Sequence, residues 1–135
     1  MLTYKTSGKN HWTIHYPTAS YDGGGTNFGR EYVELVAERY GHKGRTLEWC
    51  SGPAYIGLEL LDWGLTHTLT AMDKYKPVIE CLEANVDRLN LRDQIRTYCC
   101  PNISDLPGHW QFDLVIANPP HFLRHIADPR RYVDR

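Results

Sequence analysis

The chain has 135 residues, which leaves room for one domain and no more. Fifteen Lys+Arg against sixteen Asp+Glu give a net charge of −1, which excludes a basic nucleic-acid coat and an acidic tail. A hydrophobic share of 41%, with four Trp and nine Tyr, supplies enough apolar side chain to offset the entropy of folding, so a disordered chain is excluded as well.

The N-terminus lacks the apolar core of a signal peptide, and no stretch reaches the ~18 apolar residues needed to cross a bilayer, so the cytoplasm is the expected compartment. Cys50, Cys81, Cys99 and Cys100 show neither zinc-knuckle nor redox-pair spacing and are expected to be reduced and mostly buried.

Residues 3–16 carry two short Thr/Tyr/Trp/Ile-rich runs around Ser7-Gly8-Lys9-Asn10, compatible with a hairpin or an extended arm. With the flexible Gly23-Gly24-Gly25 they make residues 1–25 an arm ahead of a main domain over 26–135. From Asn27 to Tyr40 the positions Phe28, Tyr32, Leu35 and Val36 predict a helix with one buried face, Asn27 available as N-cap and Gly41 just past the end. Thr46–Cys50 is a short apolar strand that runs into Ser51-Gly52-Pro53, and Tyr55–Trp63 reads as a helix stopped by Gly64. His67–Asp73 is the next strand, followed by a helix with Pro77 in its first turn and Val78, Leu82, Val86 and Leu89 on one side. Ile95–Cys100 and Phe112–Ala117 are two further strands, and the run Leu114-Val115-Ile116-Ala117 suits one covered on both faces. Strands alternating with helices predict an α/β, Rossmann-like, doubly wound parallel sheet.

Such sheets bind ligands beyond the carboxyl ends of their strands. The residues there are Glu48 to Gly52, Asp73 and Lys74, Pro101 to Asp105, and Asn118 to His121. Gly52 lets a ligand approach the main chain, or simply serves the geometry of a turn. A carboxylate at Asp73 can accept the hydroxyls of a ribose, cap the following helix, or do both. In Asn118-Pro119-Pro120-His121 the prolines remove two donors, so the Asn118 side-chain oxygen and the Pro119 carbonyl stand free as acceptors. They suit an NH₂ group with a delocalised lone pair, and His121 can stack on the planar group. His121 and His125 have the spacing of two metal ligands but no third partner, so no metal is expected. The arginines of the tail, Arg124, Arg130, Arg131 and Arg135, read as a solvated end.

Leu47 to Ala54, Asp73 and Asp113 to His121 together resemble the nucleotide-binding turn, the ribose acid and the Asn-Pro-Pro-aromatic motif of class I S-adenosylmethionine-dependent methyltransferases. Within that class the chain is most similar to small-domain N-methyltransferases, which modify protein glutamine or the exocyclic amines of nucleobases in RNA or DNA. The resemblance implies S-adenosylmethionine as cofactor. It places Glu48, Cys50 and Gly52 at the methionine end, Asp73 at the ribose with Lys74 beside it, and Asn102 and Ile103 at the adenine. Asn118, Pro119, Pro120 and His121 would hold the target amine. Cys50 and Ala54 stand where the family usually has glycine, Asn102 where it has Asp, and His121 where it has Tyr or Phe. The family's sheet has seven strands, and the sequence after the Asn-Pro-Pro element is too short for the last three. The fold is therefore expected to be incomplete in its C-terminal half, with an apolar edge open to a second copy of the chain. Two rival readings are a nicotinamide-dependent oxidoreductase, for which the G-x-G-x-x-G turn is missing, and a non-catalytic or truncated binding module.

Overall fold

A computed structural model describes residues 2–17, 25–107 and 111–118. In chain order the elements are β1 (Leu2–Lys5), β2 (Thr13–Tyr16), α1 (Gly25–Arg39), β3 (Lys43–Trp49), α2 (Tyr55–Asp62), β4 (Thr66–Asp73), α3 (Lys76–Arg88), β5 (Ile95–Cys99) and β6 (Leu114–Ala117). Every predicted helix and strand is present with its ends moved by a few residues. The largest changes are that β3 already begins at Lys43, that β6 begins only at Leu114, and that α1 starts at Gly25, which puts Asn27 inside its first turn instead of at its cap.

Strands β3 to β6 pair in parallel in the order β5-β4-β3-β6, so the strand order reverses between β3 and β6. Paired residues of parallel strands share a face, and the pairs Leu69–Ile95, Glu48–Ala71 and Glu48–Ile116 define the one that carries the core. There Leu69, Ala71 and Ile95 meet Leu58 and Leu61 of α2 and Leu82 and Val86 of α3. Ile116 meets Val33 and Val36 of α1 and Ile56 and Leu60 of α2. All three helices of the described residues thus serve one side of the sheet. On the other, Arg45, Thr68, Thr70, Arg96 and Phe112 line a cleft of about 390 Å³.

Val115 belongs to that second side and is 54% exposed. The expectation that β6 is covered on both faces therefore fails at Val115, since the helices of the described residues lie on the opposite side. Among the described residues β6 has β3 as its one strand neighbour. The cysteines also depart from expectation, for Cys50, Cys81 and Cys100 are partly exposed and Cys99 is exposed, all as free thiols. Three of the four leave the ends of β3 and β5, which open onto the strand-end edge instead of lying under helices.

The N-terminal residues form a hairpin in which β1 and β2 pair antiparallel, Tyr4 facing Ile14. It is built into the helix layer. Tyr4 and Tyr16 meet the Tyr55 ring edge-on at 5.7 and 5.2 Å. Helix α2 is buried along its whole length, so its two carboxylates need partners, and the hairpin supplies them. Glu59 accepts bonds from the Tyr4 hydroxyl and from the Ser7 N–H and hydroxyl. Asp62 accepts from the N–H groups of Gly8, Asn10 and His11 at 2.8, 2.6 and 3.3 Å. Burial works to raise the Asp62 carboxyl, and the bonds from Thr6, Asn10 and Gly8 outweigh it, leaving its pKa below the ordinary value. On α3 the buried Asn85 amide accepts from the His15 N–H at 3.0 Å and donates to the His15 carbonyl at 2.7 Å, as a neighbouring strand would.

Candidate functional site

The carboxyl ends of the four parallel strands stand side by side, because Trp49 pairs with both Met72 and Ala117 and Asp73 pairs with Cys99. The turn from β3 into α2 lies at the middle of this edge. Three of its residues are left-handed, Cys50 at φ 53°, Gly52 at φ 53° and Ala54 at φ 62°. Outside glycine this conformation costs roughly 1–2 kcal/mol per residue, so the surrounding structure must hold it. The Ser51 N–H donates to the Met72 carbonyl at 3.0 Å and the Ala54 N–H to the Ser51 carbonyl at 2.9 Å. The Gly52 N–H donates to Asp73 Oδ2 at 2.9 Å. A Cβ placed on Gly52 would meet nothing within 4 Å, so the turn presents its backbone to open space.

Asp73 binds on two sides, its Oδ1 accepting from the Tyr75 N–H at 2.9 Å. It therefore joins the turn to the approach of α3, and each oxygen keeps a lone pair for a further donor. Glu48 is buried beneath α2, where its Oε2 accepts from the Gly57 N–H at 2.9 Å. A Cβ on Gly57 would lie 2.6 Å from that oxygen and 2.5 Å from a Leu69 methyl, so glycine is what admits the carboxyl. Burial pushes the Glu48 carboxyl up to about 8 against the lowering effect of the Gly57 and Ile56 N–H groups, and the charge of Asp73 adds to the rise. The Cys50 thiol is also raised, by burial first and by Asp73 second, with Lys74 opposing.

Beyond β5 the Asn102 N–H donates to Asp105 Oδ2 at 3.1 Å and opens a 3₁₀ turn over Ile103–Asp105. Ile103 is 48% exposed there, and Tyr75, beyond the neighbouring β4, is 52% exposed. Asn118 follows Ala117 directly and so leaves the sheet beside Cys50. The Tyr32 hydroxyl of α1 donates to the Ala117 carbonyl at 3.0 Å.

The structure thus brings Cys50, Gly52, Asp73, Lys74, Asn102, Ile103 and Asn118 to one edge, with Glu48 directly beneath it. Pro119, Pro120 and His121 lie outside the described residues, as do His125 and the tail arginines. The sequence reading missed Tyr75, whose signal was its place two residues after the strand-ending acid, and Tyr32, which periodicity marked as a core residue. Among the described residues no group of three His, Cys, Asp or Glu could hold a metal, and no helix is long and apolar enough to cross a membrane.

No protein-family model matches the sequence and no curated protein matches it. Solved structures do. A protein of Escherichia coli, yhhF, described as a candidate methyltransferase, superposes with a TM-score of 0.69 at 18% identity over 93% of this chain and 67% of its own. A candidate RNA methyltransferase of Pyrococcus horikoshii gives 0.60 at 18% identity over 86% of this chain and 55% of its own. The tRNA m1G37 methyltransferase of M. jannaschii gives 0.66 at 16% identity over 98% of this chain and 37% of its own. The chain therefore has the Rossmann-like fold of these methyltransferases and spans between about a third and two thirds of their length.

Proposed function

We propose that this chain carries the cofactor half of an S-adenosylmethionine-dependent N-methyltransferase whose acceptor is a planar amine. The observation that carries the reading is the β3–α2 turn. Cys50 and Ala54 hold the left-handed conformation at the two positions where the family usually has glycine, and Gly52 between them fronts open space. A turn this constrained keeps its shape without two of its glycines, as expected where a ligand selects it.

The residues fit the cofactor by their chemistry. Asp73 keeps acceptor capacity for two ribose hydroxyls, and the exposed Tyr75 and Ile103 offer apolar surface to a flat purine. When bound, the cofactor supplies an electrophilic methyl group on its sulfonium. Asn118 accepts an N–H of the target amine, withdraws the nitrogen lone pair from conjugation and holds it in line for attack. RNA is the favoured acceptor over a glutamine amide, because two of the similar structures are described as RNA or tRNA methyltransferases.

Calorimetry with S-adenosylmethionine and with NAD tests the reading at the level of binding, which does not require a complete substrate pocket. Saturable binding of S-adenosylmethionine at least tenfold tighter than NAD is expected. The opposite order would replace the methyltransferase with an oxidoreductase, and no binding of either would favour a module without a cofactor.

A further inference from the structure

We infer that Tyr32 is a positioning residue for Asn118, its hydroxyl fixing the Ala117 carbonyl and thereby the direction in which Asn118 leaves the sheet. This rests on the reading of Asn118 as the residue that receives the target amine.

The position of α1 is set by close packing. At Gly29 the helix approaches α2 so nearly that a Cβ would lie 3.3 Å from both the Glu59 side chain and the Tyr4 hydroxyl and 3.4 Å from the Tyr55 carbonyl. One turn further on, Val33 and Val36 seat in the cluster with Ile56, Leu60 and Ile116, and the partly buried Tyr32 ring packs against the same cluster. Packing would accept a phenyl ring equally well there. The hydroxyl is the part that packing does not demand, and it lies 3.0 Å from the Ala117 oxygen.

Ala117 is the last residue of a four-residue strand held, among the described residues, by β3 alone. The Ala117 carbonyl and the Asn118 N–H belong to one rigid peptide plane, so holding the oxygen sets the orientation of that plane. Tyr32 therefore braces from the helix layer an end that the sheet holds on one side. A polar side chain that must meet a reacting nitrogen loses rate steeply when displaced by about 1 Å, which is what such a brace prevents.

The test uses the full chain with ¹⁵N-labelled asparagine, with Asn118 assigned by the peaks lost in Asn118→Gln. In Tyr32→Phe the Asn118 backbone ¹⁵N resonance should shift and the heteronuclear NOE of its side-chain amide should fall. Asn85 and Asn102 should stay unchanged, as should S-adenosylmethionine affinity within twofold. Unmoved Asn118 resonances would overturn the inference.

The calorimetric test of the proposed function stands apart from these spectra: failure of S-adenosylmethionine to bind would end the reading of Asn118 as the partner of the target amine, whereas the brace itself is decided by the Asn118 resonances alone.

Discussion

Glu48→Gln is the perturbation with the clearest arithmetic. In the folded protein the Glu48 carboxyl titrates at about 8, against an ordinary 4.5, because burial penalises its charge. Between those two values the folded state binds more protons than the unfolded state. Raising the pH through this window therefore lowers stability, by about 1.4 kcal/mol for each pH unit over which the difference is a full proton. From pH 5 to pH 8 the loss from this one group comes to about 3 kcal/mol. Below the unfolded pKa the penalty vanishes, and above the folded one it is complete. Glutamine keeps an oxygen that can accept from the Gly57 N–H, and it does not titrate. Urea melts of both proteins at half-unit pH intervals should thus show the wild type losing about 3 kcal/mol relative to Glu48→Gln across that range, with the two curves converging near pH 5. Parallel curves would refute the reasoning and mean that Glu48 reaches water or an unseen cation.

Asp73→Ala should weaken S-adenosylmethionine binding by about 1.5–3 kcal/mol in calorimetry, the range for hydrogen bonds to a charged group; unchanged affinity in a folded variant would take Asp73 out of the site. Cys50→Gly should raise stability by up to about 1 kcal/mol, or a few degrees in Tm, because relief at φ 53° outweighs the added freedom of the unfolded chain. The same change at the fully buried Ala54 should be close to neutral, since a packed methyl worth about 0.8 kcal/mol is lost with the strain. Gly57→Ala should destabilise by about 1–3 kcal/mol in denaturant melts, as its new methyl would crowd Leu69 and the Glu48 carboxyl group. If the β6 edge pairs with a second copy, light scattering at micromolar concentration should give a dimer that Val115→Lys disperses, and a monomeric wild type would dismiss that pairing.

The alternation of strands and helices was legible because its signals are local. Ser51-Gly52-Pro53 and Gly64 punctuate α2, Pro77 marks the start of α3, and the apolar run 114–117 needs no partner to read as a strand. The strand ends followed from the topology that this alternation implies, and with them most of the candidate site. What stayed hidden depends on residues far apart in sequence. Asn85 reads as an unremarkable polar position inside a helix until His15 is brought against it, and Tyr32 is an ordinary core aromatic until its hydroxyl meets Ala117. Glu48 sits at a strand end, yet whether its carboxyl faces the cleft or turns under the helix depends on the bare Cα of Gly57, which no periodicity records.

The hairpin's attachment also decides where this protein can be cut. Glu59 and Asp62 are buried carboxylates whose described side-chain partners come from residues 4–11, and the buried Asn85 amide is bonded on both its oxygen and its nitrogen to His15, with Arg88 as a further donor to the oxygen. A version starting after Tyr16 would keep every strand of the parallel sheet and still leave two carboxylates and an amide without their hairpin partners. The first sixteen residues therefore belong inside any minimal folding unit, and an affinity tag is better borne ahead of Leu2 than exchanged for the segment that follows it.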